Sequence, residues 1–304
     1  MEAFLMNASS GLERRRRRLA VAMVSPAITM MALVAVFPVL YAVWLSLHEY
    51  SLLQPGLSRW AEPFGLGNYV IAFDDRDFWA ALRTTLLFTV VSVALELAIG
   101  MVMALLMNSV VRGRAFLRAA VLVPWSVLTV VTAIIWRSVF DPTLGFVNSL
   151  LGAVGLPDDT VWLGSAPEAF WVMVVADVWK TAPFMALLLL AGLQGVPIET
   201  HEAAAVDGAG AWQRFWRITL PQLRSALLVA LIFRTLDALR IFDLPYVLTK
   251  GAFGTDTLSL IAFRRLQEQG IIGLGSALSV ITFLVVMVVS VVYIRLMRPS
   301  EGGR

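Results

Sequence analysis

The chain of 304 residues contains no cysteine. That excludes a disulfide framework, a thiolate metal site and a cysteine nucleophile. It has two histidines, His48 and His201, far apart in sequence, so no multi-histidine metal centre is expected. Charge is also scarce: Asp, Glu, Lys and Arg make up 15%, against about 25% in an ordinary soluble domain. The chain has no GxxxxGK[ST] phosphate loop, serine nucleophile elbow or zincin motif, so it does not bind ATP by that loop or show a recognisable hydrolytic site. No internal repeat, low-complexity tract or linker marks a second soluble domain.

Apolar residues fill the composition instead. They account for 59% of the chain, the mean hydropathy is +0.80, and they cluster in blocks of about 20 residues or more, the membrane signature. Six spans follow: Leu19–Leu47, Thr84–Met107, Ala119–Phe140, Phe170–Leu193, Ser225–Leu248 and Leu274–Leu296. Each can cross a hydrocarbon core of about 30 Å as a helix. In lipid the backbone must satisfy itself, which selects helices over open strands. The expected fold is all-α and polytopic, with six transmembrane helices. The third span is the irregular one, because Pro124 and Arg137 lie inside it.

The pI near 9.6 would suggest nucleic acid, but the arginines flank the apolar blocks and act as topology signals. Fourteen Lys and Arg residues lie beside the spans on one side, including Arg14 to Arg18, Arg112, Arg114, Arg118, Arg214, Arg217, Arg224 and Arg295. Five lie on the other: Arg59, Arg76, Lys250, Arg264 and Arg265. By the positive-inside rule both termini are expected to be cytoplasmic. The uncharged run Leu19–Leu47 is too long for the 7–15-residue apolar region of a signal peptide, so it is expected to stay as an anchor. The outer segment His48–Arg83 is rich in aromatics, which are expected at headgroup level.

Charges inside the spans are costly and usually face a bundle interior or a water-filled path. Seven occur here: Glu96 in the second span, Asp177 and Lys180 in the fourth, and Arg234, Asp237, Arg240 and Asp243 in the fifth. Most lie near the midplane. The last four recur every three residues with alternating sign, so one continuous helix could neutralise its own ladder. Asp177 and Lys180 form another such pair, followed by Pro183. Two readings stand at the level of single residues: locks between helices, or contact with a polar solute. Lining or gating a path is favoured for the ladder as a whole, and packing for Glu96. Trp136, Trp179 and Tyr246 could stack on sugar rings, Trp179 foremost because it sits between Asp177 and Lys180, but for any one of them headgroup anchoring or core packing is favoured.

The loop from Gln194 to Arg224 is the most informative stretch. Pro197, Glu199 and Glu202 suit a first helical turn. Ala203, Ala204 and Ala205 give a small-faced helix, and Gly208 and Gly210 end or bend it. Trp212, Phe215 and Trp216 with Arg214 and Arg217 form an amphipathic segment suited to the membrane surface. Glu202-Ala203-Ala204-x-x-Asp207-Gly208-Ala209, followed by Ile218-x-Leu220-Pro221, resembles the EAA loop of permease subunits of ATP-binding-cassette importers. Phe64-Gly-Leu-Gly-Asn68-Tyr69, Val178 to Phe184 and Phe233 to Asp243 resemble the carbohydrate-importer permeases of the maltose-transporter F-type, trehalose importers among them.

The resemblance implies a permease that forms the path for a di- or oligosaccharide, trehalose or maltose foremost. It implies a second homologous permease, two cytoplasmic ATPase subunits and an extracytoplasmic sugar-binding protein. ATP and Mg would be held by the ATPases, with no cofactor on this chain. The segment Glu202, Ala203, Ala204, Asp207, Gly208, Ala209 would be the coupling helix. The substrate path would be drawn from Asp177, Trp179, Lys180, Arg234, Asp237, Arg240, Asp243 and Tyr246. Residues 1–81 would form the N-terminus, first helix and outer loop, 82–296 the five-helix core with its coupling loop at 194–224, and 297–304 a cytoplasmic tail. The competing class is a stand-alone proton-coupled carrier, which would leave the EAA loop without a role.

Overall fold

The computed structural model describes residues 2–52, 64–109 and 113–297. Arg59, Arg112, Arg298 and Arg304, and with them the expected tail beyond residue 297, lie outside the described residues. The fold is all-α, and the only β-type pairing among the described residues is an isolated bridge between His48 and Phe64.

Helix α1 is helical from Glu2, and its apolar span is Arg18–Ser46. After it come α2 (Gly67–Asp74), α3 (Arg76–Ser109), α4 (Arg114–Ser126) and α5 (Thr129–Val139). The chain continues through α6 (Phe146–Ala153), α7 (Ala166–Leu193), α8 (Ile198–Val206) and α9 (Ala211–Gln222). Last are α10 (Arg224–Ala238), α11 (Asp243–Thr249), α12 (Leu258–Phe263) and α13 (Ile272–Met297). Proline shapes two of these helices in the same way. A π turn at Ala32–Val36 precedes Pro38 in α1, and one at Phe215–Thr219 precedes Pro221 in α9. The wider turn makes room for a ring that would clash with the carbonyl four residues back.

Among the described residues, four helices (α1, α3, α7, α13) are long and apolar enough to cross a membrane, and the total reaches six if each of two bent pairs, α4 with α5 and α9 with α10, is one span. The expected third span, Ala119–Phe140, is one of these pairs: α4 and α5 meet at 86°. Pro124 removes a backbone donor in the last turn of α4, and Val127 is extended. The expected fifth span, Ser225–Leu248, is not one helix either. Helix α10 ends at Ala238, and a new helix starts with Asp243 in its first turn and Pro245 two residues on. An acidic residue and a proline suit the first turn, where the missing N–H costs nothing. By contrast, α7 runs through Pro183 unbroken.

Helices α3 and α7 lie side by side at the centre, with α10 against both. Small residues bring the backbones close, as they do generally between membrane helices. A Cβ on Gly100 would lie 2.9 Å from Met185 Cγ and 3.1 Å from the Ala186 nitrogen, and one on Gly192 would lie 2.5 Å from Ala226 Cβ. A second apolar cluster joins Ala72, Phe78 and Ala81 to Leu258, Ile261, Leu274 and Leu278. The Phe64–Tyr69 element closes the end of α1. Asn68 Nδ2 donates to the carbonyls of Ser46 and His48, both at 2.9 Å, and Tyr69 and Ser46 share a hydroxyl bond of 2.7 Å. Asn68 thereby satisfies carbonyls that the helix end leaves free.

Candidate functional site

Arg234 organises the interior. It lies on α10, is 4% exposed, and its guanidinium reaches three carboxylates on three helices. Its Nε and Nη2 pair with Glu96 of α3, the latter bond at 2.9 Å. Nη2 also pairs with Asp177 of α7, and Nη1 donates to Asp237 of its own helix at 2.8 Å. Thr181 adds a hydroxyl 2.8 Å from Glu96 Oε1 and 2.6 Å from the Asp177 carbonyl. Glu96 is fully buried. A guanidinium is suited to this place because its fixed fork serves several acceptors while staying charged.

Lys180 does not pair with Asp177. Its Nζ donates to the Val127 carbonyl, in the break between α4 and α5. The break frees a backbone acceptor within the span, and a cation from α7 takes it, as buried backbone groups require. The four-charge ladder is divided in the same way. Arg240 lies beyond the end of α10 and caps it, its Nε donating to the Leu236 carbonyl at 3.1 Å. Asp243 opens α11.

A polar cavity of about 130 Å³ lies at this junction, with Thr129, Asp177, Lys180, Arg234, Asp237, Arg240 and Asp243 on its walls. Six of the seven intramembrane charges are thus gathered around one space, and Asp237 is an open one, with 69% of its side chain exposed. The two aromatics of the expected path lie elsewhere. Trp179 packs edge-on to Trp136 at 5.9 Å and lines an apolar crevice with Pro183. Tyr246 stacks on Phe242 at 5.4 Å and meets Phe263 edge-on.

The second element is α8, none of whose residues is buried. Glu202, Ala203 and Asp207 are exposed, while Ala204 and Ala209 are half-buried. Gly208 stops the helix at φ +80°. The Gly208 nitrogen bonds the Ala205 carbonyl at 3.1 Å and the Ala209 nitrogen the Ala204 carbonyl at 2.9 Å. These are the two bonds of a Schellman cap, which needs a left-handed residue at this position. The result is a rigid, exposed helix of two turns.

Residues 96–300 match the family described as the binding-protein-dependent transport system inner membrane component. The chain belongs to this family. It is 42% identical over 295 residues to the trehalose/maltose transport system permease protein MalF of Thermococcus litoralis, covering 96% of this chain and 98% of that one. It is 41% identical over 294 residues to the trehalose transport system permease protein SugA of Mycobacterium tuberculosis, covering 97% and 93%. Among solved structures, a chain of a bacterial alginate ABC transporter, in complex with an alginate pentasaccharide-bound periplasmic protein, superposes with a TM-score of 0.80. The identity is 23%, over 94% of this chain and 96% of that one, a likeness of fold.

In this permease, sequence reasoning found the charges but not all their partners. Thr181 and the Val127 carbonyl were missed. Thr181 stood between Lys180 and Pro183, one turn from Asp177, and that spacing was the available signal. Nothing local announced the Val127 carbonyl, because the acceptor exists only once the third span breaks. Outside the spans, the Asp141 carboxyl accepts bonds from the Thr143 and Leu144 nitrogens and the Thr143 hydroxyl. These bonds stabilise the charged form and hold it below the usual carboxylate range.

Proposed function

We propose that this chain is the membrane-spanning subunit of an ATP-binding-cassette sugar importer, forming part of the path for trehalose, maltose or a related oligosaccharide. The reading is carried by identity above 40%, over nearly the whole length, to two permeases named for trehalose or maltose transport. A second homologous permease completes the path, an extracytoplasmic binding protein delivers the sugar, and two cytoplasmic ATPases hold ATP and Mg. The chain carries no catalytic residue of its own. The two termini and the loop 194–224 lie in the cytoplasm, in line with the arginine distribution.

Helix α8, with Glu202, Ala203, Ala204, Asp207, Gly208 and Ala209, seats on one ATPase. Its exposure and its fixed cap suit a lever that transmits rigid-body motion rather than absorbing it. ATP-driven closure of the ATPases rocks the two permeases and alternates access to the path. Within the membrane, Asp237, Lys180, Arg240 and Asp243 form the polar wall nearest the solute. Glu96, Asp177 and Arg234 sit behind them and hold α3, α7 and α10 in register. Trp179 and Tyr246 contribute apolar packing near that wall.

The test is purification from native membranes in mild detergent, identification of the accompanying subunits, and ATP hydrolysis measured with binding protein loaded with trehalose or with maltose. The expected result is co-purifying ATPases whose turnover rises with one loaded sugar. A lone chain that moves solute in liposomes without ATP would overturn the reading.

A further inference from the structure

A groove of about 640 Å³ separates the end of α3 from α9, and nothing in the transport cycle described above uses it. One wall is Met101, Val102 and Leu105, within the last turns of α3, which ends at Ser109. The opposite wall is Trp212 and Phe215 of the surface helix, with Arg214, Thr219 and His201 of α8 as the polar part of the lining. The wall formed by α3 belongs to its apolar span. Trp212 and Trp216, 74% and 50% exposed, flank it as aromatics do at a membrane interface.

Arg214 sets the chemistry. Its Nε is shielded from solvent and has no hydrogen-bond partner, and no ion pair or side-chain hydrogen bond engages its guanidinium among the described residues. Arg214 thus brings to the groove wall a positive charge that no carboxylate among the described residues neutralises. Helix α9 carries Arg214 and Arg217 and no acidic residue, so the ligand that complements this wall in charge is an anion. A guanidinium fork matches a phosphate geometrically, and the apolar walls line the same groove.

We propose that this groove binds one anionic phospholipid. Its phosphodiester sits on Arg214, and one acyl chain lies along Met101, Val102 and Leu105. Both Arg214 and Arg217 attract anionic headgroups in general, but only Arg214 faces the groove, which makes Arg217 the control.

The experiment is native mass spectrometry of the full chain, purified with whatever subunits accompany it and exchanged into detergent containing phosphatidylglycerol or phosphatidylcholine. The expected result is one retained phosphatidylglycerol per chain and about tenfold weaker retention of phosphatidylcholine. Loss of a single charge-assisted bond is of that order, so Arg214→Gln should also lower phosphatidylglycerol retention about tenfold. Arg217→Gln should change it less than twofold. Val102→Phe, which fills the groove from the opposite wall without touching the arginine, should lower it as well and covers the case in which Arg214→Gln does not assemble. Equal loss in both arginine variants would show only diffuse surface attraction and overturn the site. Retention unaffected by Val102→Phe, no retained lipid, or equal retention of the two lipids would overturn it too. Retention by the chain alone but not by its assembly would give the groove to a protein neighbour and equally sink the proposal.

Discussion

Helices α1 and α7 are both apolar spans, yet the molecule treats them oppositely. The most apolar stretch of α1 has a mean hydropathy of 2.2 and none of it is buried, whereas that of α7 has 1.6 and is 67% buried. The less apolar helix is the central one. In water that order would be surprising. In a bilayer the lipid is as apolar as leucine, so hydrophobicity does not pull helices together, and packing and polar contacts decide instead. Helix α7 supplies both: Ala176, Ala182 and Ala186 allow close approach, and Asp177, Thr181 and Lys180 bond to other helices. Helix α1 offers Leu33, Val34, Phe37 and Leu40 to its surroundings, and within its span Arg18–Ser46 only the last turn, with Leu45 and Ser46, is buried.

If polar contacts make α7 central, removing their hub should have the largest effect. Arg234→Ala leaves Glu96 and Asp177 buried without their cation, and breaking a buried pair in this way costs about 3–5 kcal/mol. The thermal unfolding midpoint of the purified chain in detergent should fall sharply, and more than for Asp237→Ala, whose side chain is mostly exposed. An unchanged midpoint would mean that packing alone centres α7.

The converse change places a carboxylate on α1. Leu33 lies near the middle of its span and is 61% exposed, so Leu33→Asp has no guanidinium waiting for it. A charge at the centre of a membrane helix costs about 3 kcal/mol on insertion scales. The membrane-inserted fraction should drop in a glycosylation-mapping assay, although Asp177 is tolerated in α7. Normal insertion would show that α1 meets a polar partner inside the membrane.

Helix α8 is a third case, exposed without being apolar. Gly208→Val forces a β-branched residue to φ +80°, and left-handed backbone costs such residues about 1–2 kcal/mol. Apart from its chain neighbours, no atom lies within 4 Å of the position a Cβ would take, so the strain stays local. The unfolding midpoint should hold within a few degrees while ATP-dependent sugar uptake falls. Normal uptake would separate the cap from coupling.

The same contrast explains what could be read from the sequence. Block length located the four unbroken spans, because lipid thickness and backbone satisfaction act on one segment at a time. The Gly208 cap was equally local, since Glu202 to Ala209 dictate it among themselves. Hydropathy could not rank α1 below α7 in burial, because that ranking depends on which partners each helix meets. Nor could it show that the ladder from Arg234 to Asp243 is split. Spacing by three looks the same on one helix as across a break, and the signals for the break, Asp243 and Pro245, were outweighed by the apolar run around them. The Arg234 cluster is non-local in the same sense: Glu96 and Arg234 are 138 residues apart.

The smallest expected effect is the most exacting test of the comparison. Leu33→Ala on α1 removes the same three carbon atoms as Leu189→Ala on α7. Leu189 is fully buried, and its truncation leaves a cavity whose lining loses dispersion contacts, a cost of about 2–5 kcal/mol in packed cores. Leu33 faces a fluid, so acyl chains refill the space and no cavity persists. The shift in midpoint for Leu33→Ala should stay within about 0.5 kcal/mol, the range of ordinary surface changes. The decisive quantity is the difference between the two variants, measured in the same detergent and then in the assembled complex. A Leu33→Ala cost that stays small in the isolated chain but rises toward that of Leu189→Ala in the complex would show that another subunit covers α1. A cost that stays small in both would leave α1 facing lipid throughout. Equal costs in the isolated chain would break the comparison outright, because a side chain that touches nothing rigid has no packing to lose.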